Sequence, residues 1–282
     1  MIDSILRYEF LQNAFASGLI IGVIAPLLGV FIVVRRLSLI ADALSHVTLA
    51  GIAGSLYLSQ SIHALGLLNP LYLGITASVT GSLFIERLRR LYKHYEELAI
   101  PIIMSAGLVF GAIFIPLAEG FSSDLFSYLF GSVSAVSRQD LWIVVIIALI
   151  VVLFLSFFFK ELFVLSFDEV YAKASGLPAK WIHVLFMVVT ALVIAGSMRI
   201  VGILLVSSLI TLPVAAAMRI SKSFKQAIFF SIVFGELAVI VGLVSAFYLD
   251  LAPGGTIVVT SIIILLLTIL SKKWRGKGVL SQ

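Results

Sequence analysis

The sequence predicts an all-α, polytopic integral membrane bundle of eight to nine transmembrane helices. Two observations predict this class. Of the 282 residues, 61% are apolar and only 12% are charged, and long uncharged runs recur along the chain at lengths near the roughly 20 residues that span a bilayer. In lipid, each backbone polar group needs a partner within its own segment, so we expect these runs to be helices. A membrane barrel would need short alternating strands, which the sequence does not show.

Nine segments can be placed in chain order. Five are long uncharged runs: 10–34, 98–118, 141–159, 200–218 and 251–271. Four further segments also fit a span, and two of them carry Asp42 and Glu236: 39–59, 66–85, 182–198 and 227–249. If the first residues lie along the membrane surface, or if two segments merge, the count is eight. No connection has the composition of a flexible linker, so residues 1–282 are predicted to form a single membrane domain.

Charge predicts the orientation of these segments. Most of the lysines and arginines fall in five groups: Arg35/Arg36, Arg87/Arg89/Arg90/Lys93, Lys160/Lys173/Lys180, Arg219/Lys222/Lys225 and Lys272/Lys273/Arg275/Lys277. Nine spans put all five groups on one face, and basic residues favour the cytoplasmic side, so we expect that face to be cytoplasmic. The net charge of +5 then reflects contact with anionic lipid headgroups, and no nucleic acid partner is indicated.

Two acids stand within apolar segments, Asp42 and Glu236. Ionisable residues inside a membrane usually mark a functional site. His46 follows Asp42 by one helical turn, so both side chains can face one ion. A carboxylate with an imidazole suits zinc, manganese or iron, whereas copper(I) prefers sulfur ligands, and the chain has no cysteine. We therefore predict a metal site at Asp42 and His46.

Other interpretations of these acids remain open. Asp42 and His46 could instead pair with each other, or with backbone groups, and hold the bundle together. Glu236 could complete the ion site from another helix, relay a proton or accept hydrogen bonds from nearby hydroxyl groups. Two protein ligands are too few for a permanent structural zinc site, and this suits an ion that must be released.

The segment 166–177 is predicted to be a short helix on the cytoplasmic face. Ser166 precedes two acids, Gly176 comes near the end, and Pro178 follows, which is the usual order of helix start and stop signals. Such a helix is either a docking surface or an ordinary connection. The chain has no G-x-x-x-x-G-K-[ST] loop for nucleotide phosphates, so any ATP hydrolysis requires another protein.

Residues 29–46, which end in Ala41-Asp42-Ala43-Leu44-Ser45-His46, resemble the signature of the zinc and manganese permeases of ABC importers. The passages 128–132, 167–176, 201–206 with Pro213, and 250–255 follow in the order of that family. The residues around Asp42 are similar to the zinc uptake branch, of ZnuB type.

The resemblance implies a non-enzymatic, homodimeric permease in the bacterial cytoplasmic membrane, working with a cytoplasmic ATPase and an external metal-binding protein. It also implies that Asp42 and His46 line the ion pathway. The residues matching the family's ATPase coupling helix are Phe167, Asp168, Glu169, Ala172 and Gly176.

The expected function is therefore ATP-driven import of zinc, with the ion as cargo and no permanently bound cofactor. Import of manganese or iron by the same mechanism is the first alternative. A proton-coupled secondary metal transporter would also explain Asp42, His46 and Glu236, although no inverted repeats are evident. A permease for a bulkier metal chelate needs no ion-sized site, and an intramembrane metalloenzyme would need a motif such as H-E-x-x-H, which is absent.

Overall fold

The computed structural model describes residues 7–61, 69–92, 94–118 and 123–277, and this part of the chain contains helices and no strand. Nine of its helices have 18 or more residues. They are α1 (Glu9–Val34), α2 (Leu39–Ser61), α3 (Leu71–Leu91), α4 (Ala99–Leu117), α6 (Arg138–Phe167), α8 (Ala179–Val201), α9 (Ile203–Ile220), α10 (Phe224–Leu249) and α11 (Pro253–Lys277). Two short helices, α5 (Ser123–Phe130) and α7 (Glu169–Ala174), lie in the connections.

The all-α membrane bundle is confirmed, while the predicted count of eight to nine spans is approximate. Within the described ranges, seven helices are long and apolar enough to cross a membrane. The remaining long helices, α3 and α9, run beside them. Four of the five residues from Glu86 to Arg90 near the end of α3 are charged, and α9 is the shortest of the nine long helices, at 18 residues.

The long helices form two groups around α8 and α9. Helix α2 packs between α3 and α4, while α10 packs against α1 and α11. Helix α9 contacts both groups, and α8 contacts α3, α6, α1 and α9. Glycines permit close approach within each group; for example, a Cβ added at Gly29 of α1 would lie 2.1 Å from the carbonyl oxygen of Ile210 in α9. Close backbone contact of this kind is typical of membrane helices. In lipid no hydrophobic effect drives helices together, so small residues that allow close van der Waals packing stabilise the contact.

One end of the bundle, called here the basic face, carries the basic groups whose side chains are described. Arg35, after α1, meets His183 at the start of α8, with 2.7 Å between Nη2 and Nδ1. Arg36 and Lys222 line a common cavity with Phe167. At the other end, the opposite face, Arg199 donates to Asp140 at 2.9 Å. The charge asymmetry that predicted the orientation is therefore present in the folded chain.

Aromatic packing holds α1, α6 and α10 together at the basic face. The ring of Phe224, at the start of α10, lies 5.2 Å from that of Phe31 and 5.1 Å from that of Phe163, in both cases edge to face. Edge-to-face pairs at such distances contribute about 0.5–1.5 kcal/mol each beyond the area that they bury. Helix α6 bends just before this cluster, where Phe158 has non-helical angles of −110° and 15°.

The short helix α7 is shorter than the predicted segment 166–177. Its N-cap is Asp168, whose carboxylate accepts a hydrogen bond from the backbone N–H of Tyr171 at 2.8 Å. Ser166 lies in the last turn of α6, where its hydroxyl donates to the carbonyl of Leu162. Asp168 takes the capping role because its extended backbone places the carboxylate near the free N–H groups of the new helix. Gly176, with φ of +79°, follows the helix as predicted.

Candidate ion pathway and docking helix

Asp42 and His46 lie in the first two turns of α2, near the basic face. Both side chains are half-buried. Their spacing of one turn puts them on the same side of the helix. The structure therefore brings this predicted pair together.

The imidazole of His46 has an unused polar atom inside the protein. Its Nδ1 is buried and has no hydrogen-bond partner, and the hydroxyl oxygen of the adjacent Ser45 is buried in the same way. Leaving a buried polar atom unpaired costs about 1–3 kcal/mol. A metal ion bound beside Asp42 would give such a nitrogen a partner.

Helices α3 and α4 approach α2 closely at His46, because each of them has a glycine at the contact. A Cβ added at Gly107 of α4 would lie 2.7 Å from the backbone nitrogen of Val47 and 2.8 Å from the carbonyl carbon of His46. A Cβ added at Gly81 of α3 would lie 2.9 Å from a methyl group of Val47. The backbone that carries His46 is thus held on two sides, and a side chain larger than hydrogen at Gly107 would displace it.

Glu236 lies on a different helix, halfway along α10. Its carboxylate faces Gly22 of α1, where an added Cβ would be 2.7 Å from Oε1. This Oε1 is buried without a hydrogen-bond partner. Helix α10 packs on α1, α9 and α11 and shares no extensive contact with α2 in the part of the chain described. Among the residues described, no three His, Cys, Asp or Glu side chains converge as metal ligands.

The other histidines occupy three different settings. His63 lies outside the described residues, and His94 is exposed on the basic face. His183 is only 7% exposed and contacts Arg35, Arg89 and Glu86. No local pattern identifies it, because these three partners lie far from it along the chain.

Helix α7 presents apolar side chains to solvent on the basic face. Val170 is 79% exposed and Tyr171 is 62% exposed, whereas Ala172 is fully buried against the bundle. Phe167 and Trp181, on either side of α7, are also exposed. Exposed apolar side chains grouped outside the membrane-facing surface are typical of a protein–protein contact.

Three passages that the sequence singled out meet at the opposite face. Gly131 follows α5, Gly202 separates α8 from α9, and Gly254 begins α11. Gly131 and Gly202 have φ of +78° and +85°, which glycine adopts without steric cost. A Cβ at Gly254 would lie 1.8 Å from the carbonyl oxygen of Val201. We call this convergence the glycine junction.

A polar pair stabilises the same end of the bundle. Arg199 at the end of α8 donates to both oxygens of Asp140, at 3.2 and 2.9 Å, and its guanidinium lies 5.1 Å from the ring centre of Tyr128. Asp140 is 2% exposed and also forms a capping box with Ser137 at the start of α6. Asn69, before α3, donates to the same carboxylate at 2.9 Å.

Known proteins resemble the chain over almost all of its length. A model described as the ABC 3 transport family matches residues 7–272. The manganese transport system membrane protein MntC of Listeria monocytogenes is 33% identical over 98% of this chain and 95% of its own. The manganese import system permease protein ScaB of Streptococcus gordonii is 35% identical, with 95% and 93% covered. A solved structure described as PsaBC from Streptococcus pneumoniae in complex with Fab has a TM-score of 0.81 at 34% identity, covering 95% of this chain and 93% of its own.

Proposed function

Since the chain belongs to the ABC 3 transport family, and is therefore a non-enzymatic permease subunit of a bacterial ABC metal importer, we propose that its cargo is Mn²⁺ and that the ion passes Asp42 and His46. Relatives named as manganese permeases support this choice. They favour the manganese alternative over the zinc expectation, which rested only on the residues flanking Asp42.

The observation that carries the proposed ion path is the buried, unpaired Nδ1 of His46 one turn after Asp42. A carboxylate oxygen and an imidazole nitrogen both suit Mn²⁺, which fills its remaining positions with oxygen ligands, including water. Two protein ligands bind a partly dehydrated ion only weakly. The ion can therefore leave the site, as transport requires. Gly107 fixes the backbone at His46, so the two ligands keep their relative position while the ion exchanges its waters.

We propose that α7 is the docking helix for the ATPase subunit. Its outward side chains, Val170 and Tyr171, are apolar and exposed, while Ala172 anchors it to the bundle. The predominance of basic residues on the same face favours the cytoplasmic side. An external metal-binding protein then delivers the ion at the opposite face, and a second copy of the chain completes the transporter.

Transport requires two arrangements of the bundle with different access to Asp42 and His46. ATP bound to the partner subunit shifts their populations only if it favours one of them. The contact between α7 and the ATPase supplies this preference. When the two ATPase subunits bind ATP, the distance between them changes, and α7 moves with the ATPase subunit that it contacts.

The test is uptake of labelled Mn²⁺ by cells that lack their own importers and express this chain with its ATPase and binding protein. We expect Asp42→Asn and His46→Ala each to lower uptake at least about tenfold, which corresponds to about 1.4 kcal/mol. Gln60→Ala, an exposed position on the same helix, is the matched control and should keep normal uptake. Normal uptake by both site variants at normal expression would contradict the proposed path.

The same assay separates manganese from zinc. Zinc binds nitrogen and oxygen ligands more tightly than manganese, so we expect excess Zn²⁺ to inhibit Mn²⁺ uptake by occupying the site. Accumulation of labelled Zn²⁺ with no Mn²⁺ uptake would return the assignment to zinc.

A further inference from the structure

A partly buried ionic cluster on the basic face has no part in the proposed ion path. Its members come from the connection before α2, the end of α3, the turn before α4 and the start of α8. We call it the His183 cluster: Arg35, Glu86, Arg89, Arg90, Glu96 and His183. Glu169 and Lys173 of α7 line a cavity of about 400 Å³ together with five of these residues. The cluster thus lies between the proposed docking helix and the helices around the ion path.

His183 is the centre of the cluster, and its two ring nitrogens have different partners. Nδ1 lies 2.7 Å from Nη2 of Arg35, and Nε2 lies 3.1 Å from Oε2 of Glu86, with Nη1 of Arg89 against the same nitrogen. A guanidinium can only donate and a carboxylate can only accept. With Nδ1 accepting from Arg35, the proton of a neutral ring is on Nε2, beside the carboxylate of Glu86. The ring then offers no lone pair to Arg89, whose Nη1 also lies 3.8 Å from Oε2 of Glu86.

One further ion pair extends the cluster to α4, because Arg89 donates to Oε2 of Glu96, in the turn before α4, at 2.7 Å. Within α3, Arg90 donates to Oε1 of Glu86 at 3.0 Å. Since α2 packs between α3 and α4, the cluster ties together the basic-face ends of the two helices on either side of His46. Hydrogen bonds between charged groups are strong and directional, which favours movement of these ends as a unit.

Charge connects α7 to this unit. A hydrogen bond from Lys173 lowers the pKa of Glu169, and the positive charges of Lys173 and Arg35 lower it further against the opposing effect of burial. Burial lowers the pKa of Arg35 to about 10, which leaves the guanidinium charged at neutral pH. Glu169 and Arg35 line a second cavity together with Arg89 and attract each other there, and Arg35 lies in the connection that leads into α2.

We infer that the His183 cluster transmits the displacement of α7 to α2, through the attraction between Glu169 and Arg35, the hydrogen bond from Arg35 to His183 and the 3.1 Å contact between His183 and Glu86. This inference rests on the proposed role of α7 as the ATPase docking helix. Arg35 and His183 are positioning residues in this scheme, because neither touches the ion. Replacing either residue should lower the amount of ion transported per ATP hydrolysed while the ATPase stays bound.

The test uses the full complex, chain with ATPase, reconstituted in liposomes with the external binding protein. Mn²⁺ uptake and ATP hydrolysis are measured in the same vesicles. Replacing His183 by leucine removes the polar contacts of both ring nitrogens, and we expect uptake per ATP to fall at least about fivefold, the lower end of typical coupling between two sites. His183→Gln, whose amide accepts from Arg35 and donates to Glu86, should restore most of that ratio.

Two controls separate transmission from a general loss of charge or fold. Lys225→Gln removes an exposed charge from the same face and should leave the ratio unchanged. Glu169→Gln should lower the ratio in the same direction as His183→Leu, since it removes the attraction to Arg35. In every variant the ATPase must still co-purify in its normal proportion.

Each outcome decides the inference. An unchanged ratio in His183→Leu overturns it while the proposed function stands. Loss of the ATPase from that variant overturns it as well, because the residue is then only structural. If the wild-type complex takes up no Mn²⁺ and binds no ATPase, the proposed function fails, and the inference fails with it. A lowered ratio with the ATPase retained, and recovery with glutamine, supports it.

Discussion

Replacing Gly254 by alanine would drive a methyl group into two backbone carbonyls at the glycine junction. The added Cβ would lie 1.8 Å from the oxygen of Val201 and 2.7 Å from that of Phe130. A carbon–oxygen contact needs about 3.3 Å, so α11 would have to move away from α8 by about 1.5 Å. Both obstacles are main-chain atoms at the ends of helices, and no side-chain rotation relieves them.

The expected cost follows from this displacement. Overpacking of a close contact costs about 1–3 kcal/mol, and a shift of this size belongs in the upper half of that range. Alanine regains about 0.5–1 kcal/mol from the lower backbone entropy of its unfolded state. The net loss for Gly254→Ala is therefore about 1–2.5 kcal/mol. Because each kcal/mol lowers Tm by about 2–4 °C in chains of comparable length, we expect a decrease of about 2–10 °C.

The assay is thermal unfolding of the purified full-length chain in detergent, followed by circular dichroism. Gly255→Ala is the matched control, since an added Cβ there meets no atom within 4 Å. We expect it to melt at or slightly above the wild-type temperature. Equal melting temperatures for the two variants would refute the argument that the glycine junction depends on direct backbone contact.

Two further predictions concern single polar side chains. Arg199→Leu leaves the buried carboxylate of Asp140 without its cation, and we expect a loss of about 3–5 kcal/mol, measured by the same thermal assay; Arg199→Lys keeps the charge and should lose less. Glu236→Gln keeps the size of the side chain that faces Gly22 and removes its charge, and we expect Mn²⁺ uptake to fall about tenfold, or by about 1.4 kcal/mol. Normal uptake by Glu236→Gln would show that transport does not need this carboxylate.

The pair Asp42 and His46 could be recognised from the sequence because the relation between the two residues is local. A helix places residues four apart on one face whatever surrounds it. Glu236 was recognisable as unusual for the same kind of reason, an acid in an apolar run. Which helix it faces depends on how α10 is rotated against α1, and the structure turns it toward Gly22.

Local sequence signals predicted the exact ends of helices less well than they predicted the helices themselves. Ser166 and Asp168 both precede residues that suit a helix start, and the sequence favoured the serine. The structure uses Asp168, because α6 continues through Phe167 and carries Ser166 within its last turn. Competition between two adjacent caps is settled by where the preceding helix stops, and that depends on its packing.

The sequence by itself determined the membrane class, the helical segments and the basic face, since hydropathy and charge along the chain decide which segments enter lipid and which ends remain in water. Only the tertiary structure decided that Gly131, Gly202 and Gly254 meet at one junction and that His183 joins Arg35 to Glu86. The physical reason is that these contacts depend on how helices distant in the chain pair and rotate against one another. Each contact joins single atoms, such as a carbonyl oxygen or a ring nitrogen, and the periodicity of the sequence does not predict which atoms will meet.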